Sequence, residues 1–385
     1  MCEADLQQLF IGILRAELTE TEPSQNLIDC IDAYSISKLF VMAKKHDLVH
    51  IVSVYLDRVG LLKEDEISKE FRKKAITSVY RIEYMKYAFQ QVCEIFNKNK
   101  IDYVPLKGSV LRNYYPKEDM RTSCDIDILI KENYVDAAVD ALVKSGGFIL
   151  KGKSYHDVSL YSKTNVHLEL HFNLLENMDN LDCVLKDAWN YTKQEDGYQH
   201  SFTDNFFIYY IFAHMAYHFA SGGCGMRSMM DLWVIQNKMG ISYTSAIDLL
   251  KKANIYTFAE KISNLSNICF ADGKPDEYTT QLLSYIISGG VFGNIENKVK
   301  YAKTNNKSTL RYILKRIFVP FDWMKRKYKV LNKHPYLLPI FYVVRVIEAL
   351  FLNNTEKIAC EVKVTKSTKA DDIKDISILR DYLNI

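Results

Sequence analysis

Two aspartates near the middle of the chain have the spacing of a metal site. Asp125 and Asp127 belong to the alternating stretch 124–130, in which isoleucine recurs at every second position, and this alternation predicts a strand with one buried face. Since successive side chains of a strand point to opposite faces, both carboxylates lie on the same face. Adjacent carboxylates repel each other unless a cation lies between them, and Mg²⁺ prefers such oxygen ligands. Taken alone, the pair is more typical of an acidic edge on a surface strand.

A second alternating stretch, 166–172, adds a third carboxylate. It predicts another strand and places His167, Glu169 and His171 on one face, with apolar residues on the other. An acid between two imidazoles could bind a zinc or iron ion by itself. The simpler interpretation, which we favour, is that Glu169 completes a three-carboxylate site with the two aspartates. The sequence therefore predicts a site for Mg²⁺, with Mn²⁺ as a substitute.

A third segment has the residue types of a phosphate site. Lys107-Gly108-Ser109 lies between a predicted strand, 101–106, and a predicted helix, 110–115. Glycine permits close approach of the backbone, and the first turn of a helix presents N–H groups to an anion. Ser109 can donate its hydroxyl to a phosphate, and Lys107 adds positive charge. The segment is not a Walker loop, since Gly-x-x-x-x-Gly-Lys is absent, and an ordinary helix cap is the alternative interpretation.

Two pairs of residues further along have helical spacing, which places the members of each pair on one helix face. His214 and His218 are either hydrogen-bonded histidines at a packing seam or a pair that brings His214 to a nucleotide pocket. Arg227 and Asp231 are either a simple salt bridge along a helix or an arginine that reaches a phosphate while the aspartate orients it. Both pairs are additional candidates for the site.

The elements that must position these residues form a small α+β unit that follows a helical region. Residues 1–100 have apolar residues at helical spacing, notably in two runs without an interior proline, 36–47 and 64–98. At residue 101 the pattern changes to short alternating stretches bounded by turn residues. The unit 101–175 contains four predicted strands and one main helix, at 101–106, 124–130, 158–162, 166–172 and 133–145.

The helical pattern returns after residue 175. Residues 176–362 are expected to be helical, with the most apolar helix at 206–219. Residues 363–385 are expected to be a polar tail, solvated apart from a short helix at 376–383. The predicted fold class is α+β, with a small mixed β-sheet core and large N-terminal and C-terminal α-helical regions.

Composition excludes disordered and fibrous proteins, because 48% of the residues are apolar and 25% are charged. The net charge of +3 is too small to indicate a partner. One segment differs: residues 298–334 contain twelve Lys or Arg and a single acid, with aromatic residues between them. This basic segment could bind nucleic acid or an anionic membrane surface, or it could be the solvated face of a helix pair.

No feature of the sequence predicts export or membrane insertion. The first residues lack the basic region of a secretory signal, and no run of about 18 uncharged apolar residues occurs. The eight cysteines are scattered without any Cys-x-x-Cys, which is typical of reduced thiols. We therefore expect a cytoplasmic protein without a transmembrane segment.

The residues around the aspartates resemble a known family. The similarity is to polymerase beta-type nucleotidyltransferases, and more narrowly to a bacterial branch of uncharacterised nucleotidyltransferases. It is carried by Leu106-Lys107-Gly108-Ser109, Tyr115-Pro116, Arg121, Asp125-Ile126-Asp127-Ile128-Leu129 and Glu169-Leu170-His171. Looser similarity extends to residues 43–46, the His214 helix, and residues 227–231 and 289–293. The resemblance implies a nucleotidyltransferase fold for the α+β core.

The resemblance also implies a metal-dependent mechanism. Asp125 and Asp127 would hold two Mg²⁺ ions that bridge a triphosphate, and metals and positioning would carry most of the catalysis. Glu169 would complete the second metal site and help to deprotonate the acceptor hydroxyl, with His171 as an accessory residue.

A nucleotide site is implied in the same way. Its members would be Lys107, Gly108, Ser109, Arg121, His214 and Arg227, with Asp231 as an accessory residue. Ser109 and the backbone N–H groups after it would hold the terminal phosphates. Lys107 or Arg121 would neutralise the departing pyrophosphate.

We therefore expect an enzyme that moves a nucleoside monophosphate from a nucleoside triphosphate to a hydroxyl of a small molecule, peptide or protein. The third carboxylate favours activity over a first alternative, a catalytically idle nucleotide-binding or interaction module of the same fold. A second alternative is a toxin-like transferase that modifies transfer RNA, which the basic segment would serve. A separate metal enzyme at His167, Glu169 and His171 is less favoured. A polymerase is disfavoured, since nothing resembles a template-binding module.

Overall fold

The sheet that carries the aspartates is mixed and has five strands. The structure is a computed structural model that describes residues 3–271, 273–291, 293–304, 314, 317–351, 360–361, 363–365 and 367–385. The strands are β1 (Tyr103–Pro105), β2 (Asp125–Ile130), β3 (Phe148–Lys153), β4 (Asp157–Ser162) and β5 (His167–His171). Their order is β1-β2-β5-β4-β3, with β2 parallel to β5 and the other neighbours antiparallel. The predicted mixed sheet is confirmed.

Strand β3 is an element that the sequence pattern does not predict. It is an edge strand that, within the described part of the chain, pairs with β4 alone, and its residues after Phe148 are exposed. Ile149 and Leu150 are therefore adjacent exposed apolar residues, so no alternation marks the strand. A short hairpin formed by β6 (Thr192–Gln194) and β7 (His200–Phe202) also escapes prediction.

The long helix before the sheet determines which face of β2 is buried. The N-terminal helices are α1 (Glu3–Leu18), α2 (Gln25–Asp29), α3 (Ala33–Lys45), α4 (Val49–Arg58) and α5 (Glu66–Lys98). Helix α5 begins at the capping residue Asp65, whose side chain accepts from the Ser68 N–H. Its residues Met85 and Val92 pack in one core with Ile126 and Ile128 of β2. Because the isoleucines face α5, Asp125 and Asp127 must face the opposite side.

The remaining helices lie within or after the sheet. They are α6 (Gly108–Leu111), α7 (Val135–Lys144), α8 (Asp179–Leu185), α9 (Asp204–Ala220), α10 (Gly225–Asn237), α11 (Ile247–Lys252), α12 (Tyr256–Phe270), α13 (Glu277–Gly289), α14 (Ile295–Thr304), α15 (Phe321–Lys327), α16 (Leu338–Phe351) and α17 (Ala370–Leu383). Helix α9 is buried along most of its length, which its aromatic and apolar composition explains. Among the described residues, no helix is both long and apolar enough to cross a membrane.

The helices before and after the sheet share one apolar core. Phe10 and Leu39 belong to the same buried cluster as Phe219 and Phe258. At the end of α3, His46 donates its Nε2–H to the carbonyl of Ile287 (3.1 Å) and accepts the N–H of Met226 at Nδ1 (3.2 Å). Burial lowers the pKa of His46 to about 4, so the ring is neutral. This histidine ties α3 to α10 and α13.

Two glycine-rich turns pack main chain against main chain beside α9. The first, 221–224, joins α9 to α10, and the second begins at Gly289, the last residue of α13, and includes residues 290 and 291. Gly223 has φ +139°, and a Cβ there would lie 2.9 Å from the Cα of Gly289. A side chain at either glycine would separate the two turns. Across the same junction, the N–H of Val291 donates to the carbonyl of Lys45 (3.1 Å).

The C-terminal tail is more structured than its polar composition indicates. Helix α17 is longer than the predicted 376–383 and buries Ile376, Leu379 and Leu383 in the main core. Residues 370–383 therefore do not form a largely solvated linker. Within the basic segment, residues 305–313 and 315–316 lie outside the described residues.

Candidate active site

A cleft of about 390 Å³ collects the polar residues that the sequence singled out. Its walls come from β2, β5, the turn after β1, the loop before β2, and helices α9 and α10. The predicted residues that line it are Lys107, Gly108, Arg121, Asp125, Asp127, Glu169, His171, His214, Arg227 and Asp231. Ser109 and His167, which the sequence also singled out, do not line it.

The parallel pairing of β2 with β5 brings the three carboxylates together. Asp127 is directly opposite Glu169, and Asp125 is opposite His167. His171 donates its Nε2–H to Asp127 Oδ1 (3.0 Å) and lies 3.5 Å from Glu169 Oε2. Three acids and two imidazoles from two adjacent strands therefore share one face of the sheet.

The carboxylates affect one another's ionisation. Burial raises the pKa of Asp125, and the charge of Asp127 raises it further. Burial, Asp127 and Asp125 together raise the pKa of Glu169 in the same way. Burial alone would also raise the pKa of Asp127, but the hydrogen bond from His171 and the charge of Lys107 bring it well below its ordinary value. The ionised form of Asp127 is thus stabilised, whereas the ionised forms of Asp125 and Glu169 are destabilised by burial and by nearby negative charge.

The donor atoms fit a divalent cation. Two groups of potential ligands, Asp125 with His167 and Glu169, and Asp127 with Glu169 and His171, each have ligand atoms within 4.8 Å of one another. Carboxylate oxygens suit both Mg²⁺ and Mn²⁺. Glu169 is common to both groups and each contains one aspartate. A third such group, His156 with Asp157 and His171, adjoins them, and His167, Glu169 and His171 are not among the groups that the described residues form.

Lys107 is held at the end of β1 in an unusual backbone conformation. Its φ of +36° and ψ of −104° are sparsely populated for a residue other than glycine. The preceding residue, Leu106, donates its N–H to the carbonyl of Asp127 (3.0 Å), so Lys107 begins beside the aspartate. Its Nζ lies 5.3 Å from the ring centre of Tyr210. Burial opposes the charged form, yet the neighbouring Tyr210 and Asp127 raise the pKa of Lys107 above its ordinary value.

Hydrogen bonds through His214 of α9 fix the position of the Lys107 ammonium group. His214 donates its Nδ1–H to Glu176 Oε1 (2.8 Å), and its Nε2 accepts from Lys107 Nζ (3.1 Å). Burial and the positive charge of Lys107 keep the pKa of His214 well below its usual value, so the ring is neutral and can accept. His218 packs edge-on against His214, and burial lowers its pKa to about 3. The predicted placement of His214 in the cleft agrees with this geometry.

Ser109 does not line the cleft, and the main-chain donors at this point are already used locally. Its N–H donates to the carbonyl of Leu106 (3.1 Å), and the next N–H, of Val110, donates to Lys107 (3.0 Å). Helix α6 is a single turn, so these donors are used within it. Ser123 lines the cleft instead. A Cβ at Gly108 would meet its Oγ at 3.3 Å, which shows how closely the two segments approach.

Arg121 and Asp231 form a buried pair at the base of the cleft. Arg121 donates its Nε–H to Asp231 Oδ1 (2.7 Å) and its Nη1–H to the carbonyl of Thr122 (2.6 Å). The same Oδ1 accepts from the hydroxyl of Tyr115 (2.6 Å). Arg121 thus lines the cleft with two of its guanidinium N–H groups already engaged, and its role toward pyrophosphate stays a prediction.

Arg227 is not hydrogen-bonded to Asp231, although the two residues have the spacing of a salt bridge along a helix. Its Nη1 donates to Asp47 Oδ2 (3.2 Å) and to the carbonyl of Thr122 (3.0 Å). Asp231, one helical turn away, accepts from Arg121 instead. Burial and the charge of Arg121 lower the pKa of Arg227, as expected where two guanidinium groups lie close together. An anion in the cleft would relieve this repulsion.

Sequence reasoning missed several lining residues. Tyr155 and His156 lie on the turn between β3 and β4, and β3 itself was not predicted. Glu176 follows β5 in a loop, and no local pattern marks it. The spacing of Tyr210 could have identified it, because it lies one helical turn before His214 on the same face of α9.

The fold and the cleft define a nucleotidyltransferase, with paired strands that present carboxylates beside a fixed lysine. A family model described as uncharacterised nucleotidyltransferase matches residues 32–271, well over half of the chain. The chain therefore belongs to the uncharacterised nucleotidyltransferase family. Comparisons with curated proteins and with solved structures found no match.

Proposed function

We propose that the protein transfers a nucleoside monophosphate from a nucleoside triphosphate to an acceptor hydroxyl and releases pyrophosphate. Membership of the family supports the class of reaction. The observation that carries the proposal is the parallel register that sets Asp127 opposite Glu169 with Asp125 beside them. Such a cluster suits a divalent cation better than any uncharged ligand.

The three carboxylates would hold the metal. Asp125, Asp127 and Glu169 are the ligands we assign, with Mg²⁺ as the preferred ion and Mn²⁺ as a substitute. When bound there, the ion supplies positive charge that offsets the charge of the triphosphate and of the transition state. His171, through its hydrogen bond to Asp127, orients that carboxylate (3.0 Å).

Cationic and small residues would hold the triphosphate. Lys107 offers a fixed ammonium group, because His214 and Tyr210 determine where its Nζ lies. Gly108 allows the phosphates to approach the main chain, and the Ser123 hydroxyl lies beside it. Arg227, which also lines the cleft, supplies a second positive charge. We assign the terminal phosphates to these residues rather than to Ser109.

Glu169 would receive the proton of the acceptor hydroxyl. Burial and the neighbouring aspartates raise the pKa of Glu169, which makes it a better base than an isolated carboxylate. As the O–H bond breaks, the acceptor oxygen forms a bond to the α-phosphorus. The bond from that phosphorus to the bridging oxygen of the β-phosphate breaks, and pyrophosphate leaves with the electron pair. The product is a phosphodiester of the acceptor.

We also propose that the protein works in the cytoplasm, where nucleoside triphosphates and reduced thiols occur. Its seven described cysteines are all free, which fits a reducing compartment.

A direct test measures pyrophosphate release with each of the four nucleoside triphosphates and Mg²⁺, in the presence of cell extract as a source of acceptors. We expect release from the wild type and its loss in Asp127→Asn. Asp140→Asn is the matched control, because Asp140 is exposed on α7 and does not line the cleft. If the wild type releases no pyrophosphate while a triphosphate still raises its melting temperature, the idle binding module is the correct function.

A further inference from the structure

A second cleft adjoins the candidate active site. It has a volume of about 490 Å³ and is lined by Lys153, Ser154, Tyr155, Trp323, Lys327 and Lys329. Tyr155 lines both clefts, so the two meet at the turn between β3 and β4. The far wall comes from α15 and the residues just after it, which belong to the basic segment.

The charge of this second cleft is positive. Three lysines and no carboxylate are among its described lining residues. Lys327 is paired with Glu348 (2.6 Å), whereas Lys153 is 3.4 Å from the nearly fully exposed Asp136. An exposed pair of that kind contributes little and is easily exchanged for another anion. The cleft is therefore suited to a ligand with more than one negative charge.

Aromatic rings lie among these cations. Trp323 has the guanidinium of Arg345 5.1 Å from its ring centre, and Tyr155 is 40% exposed. Lysines with interleaved aromatic residues are the composition of sites for single-stranded nucleic acid, where phosphates contact the cations and bases stack on the rings. A small sugar phosphate would use the lysines but not the rings.

A continuous path leads from this cleft to the carboxylates. The rings of Tyr155 and His156 have centres 4.4 Å apart, and His156 in turn stacks on His171 at 5.9 Å. His171 contacts Asp127. A ligand anchored by the lysines would therefore extend past Tyr155 with its terminal group beside the catalytic carboxylates.

We propose that the acceptor is the end of a single-stranded nucleic acid. Its last phosphates bind Lys153, Lys327 and Lys329, and its terminal sugar hydroxyl reaches Glu169. This inference rests on the proposed function, because it assigns the acceptor of that same reaction.

Binding is tested separately from catalysis by working with Asp127→Asn. Fluorescence anisotropy with a short end-labelled single-stranded RNA, and with DNA of the same sequence, gives the dissociation constant at several salt concentrations. We expect Lys153→Gln/Lys327→Gln/Lys329→Gln, made in that background, to weaken binding at least tenfold. The slope of log affinity against log salt should fall by about 2, since each phosphate contact on a single strand accounts for about 0.7. The RNA and DNA arms show which polymer is preferred.

The matched control removes three lysines elsewhere. Lys238, Lys251 and Lys252 are exposed on and after α10 and on α11, and none lines either cleft. Lys238→Gln/Lys251→Gln/Lys252→Gln should leave both the affinity and the salt slope unchanged. If the two triple variants bind alike, the attraction is unspecific and the second cleft is not the site.

Transfer of label from a nucleoside triphosphate to the oligonucleotide, with a free or a blocked terminal hydroxyl, separates the two proposals. Label on the free end alone supports both. Binding that depends on the cleft lysines without any transfer supports the nucleic-acid site and overturns the proposed reaction. Transfer to a small phosphorylated molecule that the three-lysine variant of the second cleft still performs supports the reaction and overturns the nucleic-acid acceptor.

Discussion

The two clefts differ in how their charged groups are held. In the first, Arg121 is buried, Lys107 and Asp127 are half-buried, and each is fixed by a named partner. In the second, the three lysines are exposed; Lys327 is paired with Glu348, whereas Lys153 has only a long contact to an exposed aspartate. The first is built for fixed geometry, and the second for attraction of a charged ligand.

The clefts also differ in their relation to the family. Apart from Val291, the first cleft is lined by residues of the matched range 32–271. The second takes Trp323, Lys327 and Lys329 from beyond that range. We infer that the reaction belongs to what the family shares, whereas acceptor choice is set by this chain's own C-terminal helices.

Removal of Arg121 should have the largest effect. Arg121→Met leaves Asp231 buried without its cation, which should lower the free energy of unfolding by about 3–5 kcal/mol. Urea titration measures this change. Lys73→Met, which removes an exposed charge, is the control and should be nearly silent. Arg121→Met/Asp231→Leu should recover part of the loss, and a stable Arg121→Met protein with normal folding would show that the pair is not structural.

Removal of Asp125 should harm activity but not stability. Asp125→Asn should reduce kcat/KM by roughly 10²- to 10³-fold, a loss typical of one electrostatic contact in an active site. Because burial and Asp127 raise the pKa of Asp125, its ionised form is unfavourable, and the melting temperature without divalent ions should rise. Calorimetry with EDTA checks the second part. A lower melting temperature would contradict a repulsive cluster.

Acid should weaken the helical frame of the first cleft. The pKa of His46 is about 4 in the fold, below its unfolded value of about 6.5, so the neutral ring stabilises the protein fully above pH 6.5. This contribution is lost as the pH falls from 6.5 toward 4, and about 2 kcal/mol should disappear between pH 7 and pH 5. His46→Gln should flatten that part of the stability curve, while His334→Gln, at an exposed site, should not. Equal curves for the two variants would refute the assignment.

Removal of one lysine of the second cleft should have the smallest effect. Lys329→Gln should lower the salt slope of nucleic-acid binding by about 0.7. The free energy of unfolding should change by less than about 0.5 kcal/mol, as at other exposed positions. A large loss of stability would show that Lys329 is held as tightly as Lys107 and would remove the contrast between the clefts.

The sequence predicted where the strands of the site lie, but it did not predict which residues from distant segments contact one another. Alternation located β2 and β5 because each has one buried and one open face, but the pairing of Asp127 with Glu169 depends on long-range topology. Local spacing misled for Arg227 and Asp231, since both residues have nearer partners from distant parts of the chain.

Other differences have the same origin. Ser109 was singled out because it follows a glycine, yet its N–H is used in the local turn at the start of α6. Ser123, which lies in the loop two residues before β2, lines the cleft instead. Edge strand β3 has no alternation to detect, so the turn that carries Tyr155 and His156 could not be placed. In each case the missing information is which distant segments are neighbours.

The contact between the two glycine turns has an evolutionary consequence. Because main chain meets main chain at Gly223 and Gly289, no side chain there can be exchanged for another of similar size, and mutation of one glycine has no compensating partner. The helices around the junction can exchange one buried apolar residue for another of similar volume, whereas these small positions cannot change. Distant homologues of the region after residue 271 should therefore be recognisable by the spacing of their glycines, even where the rest of the sequence has diverged.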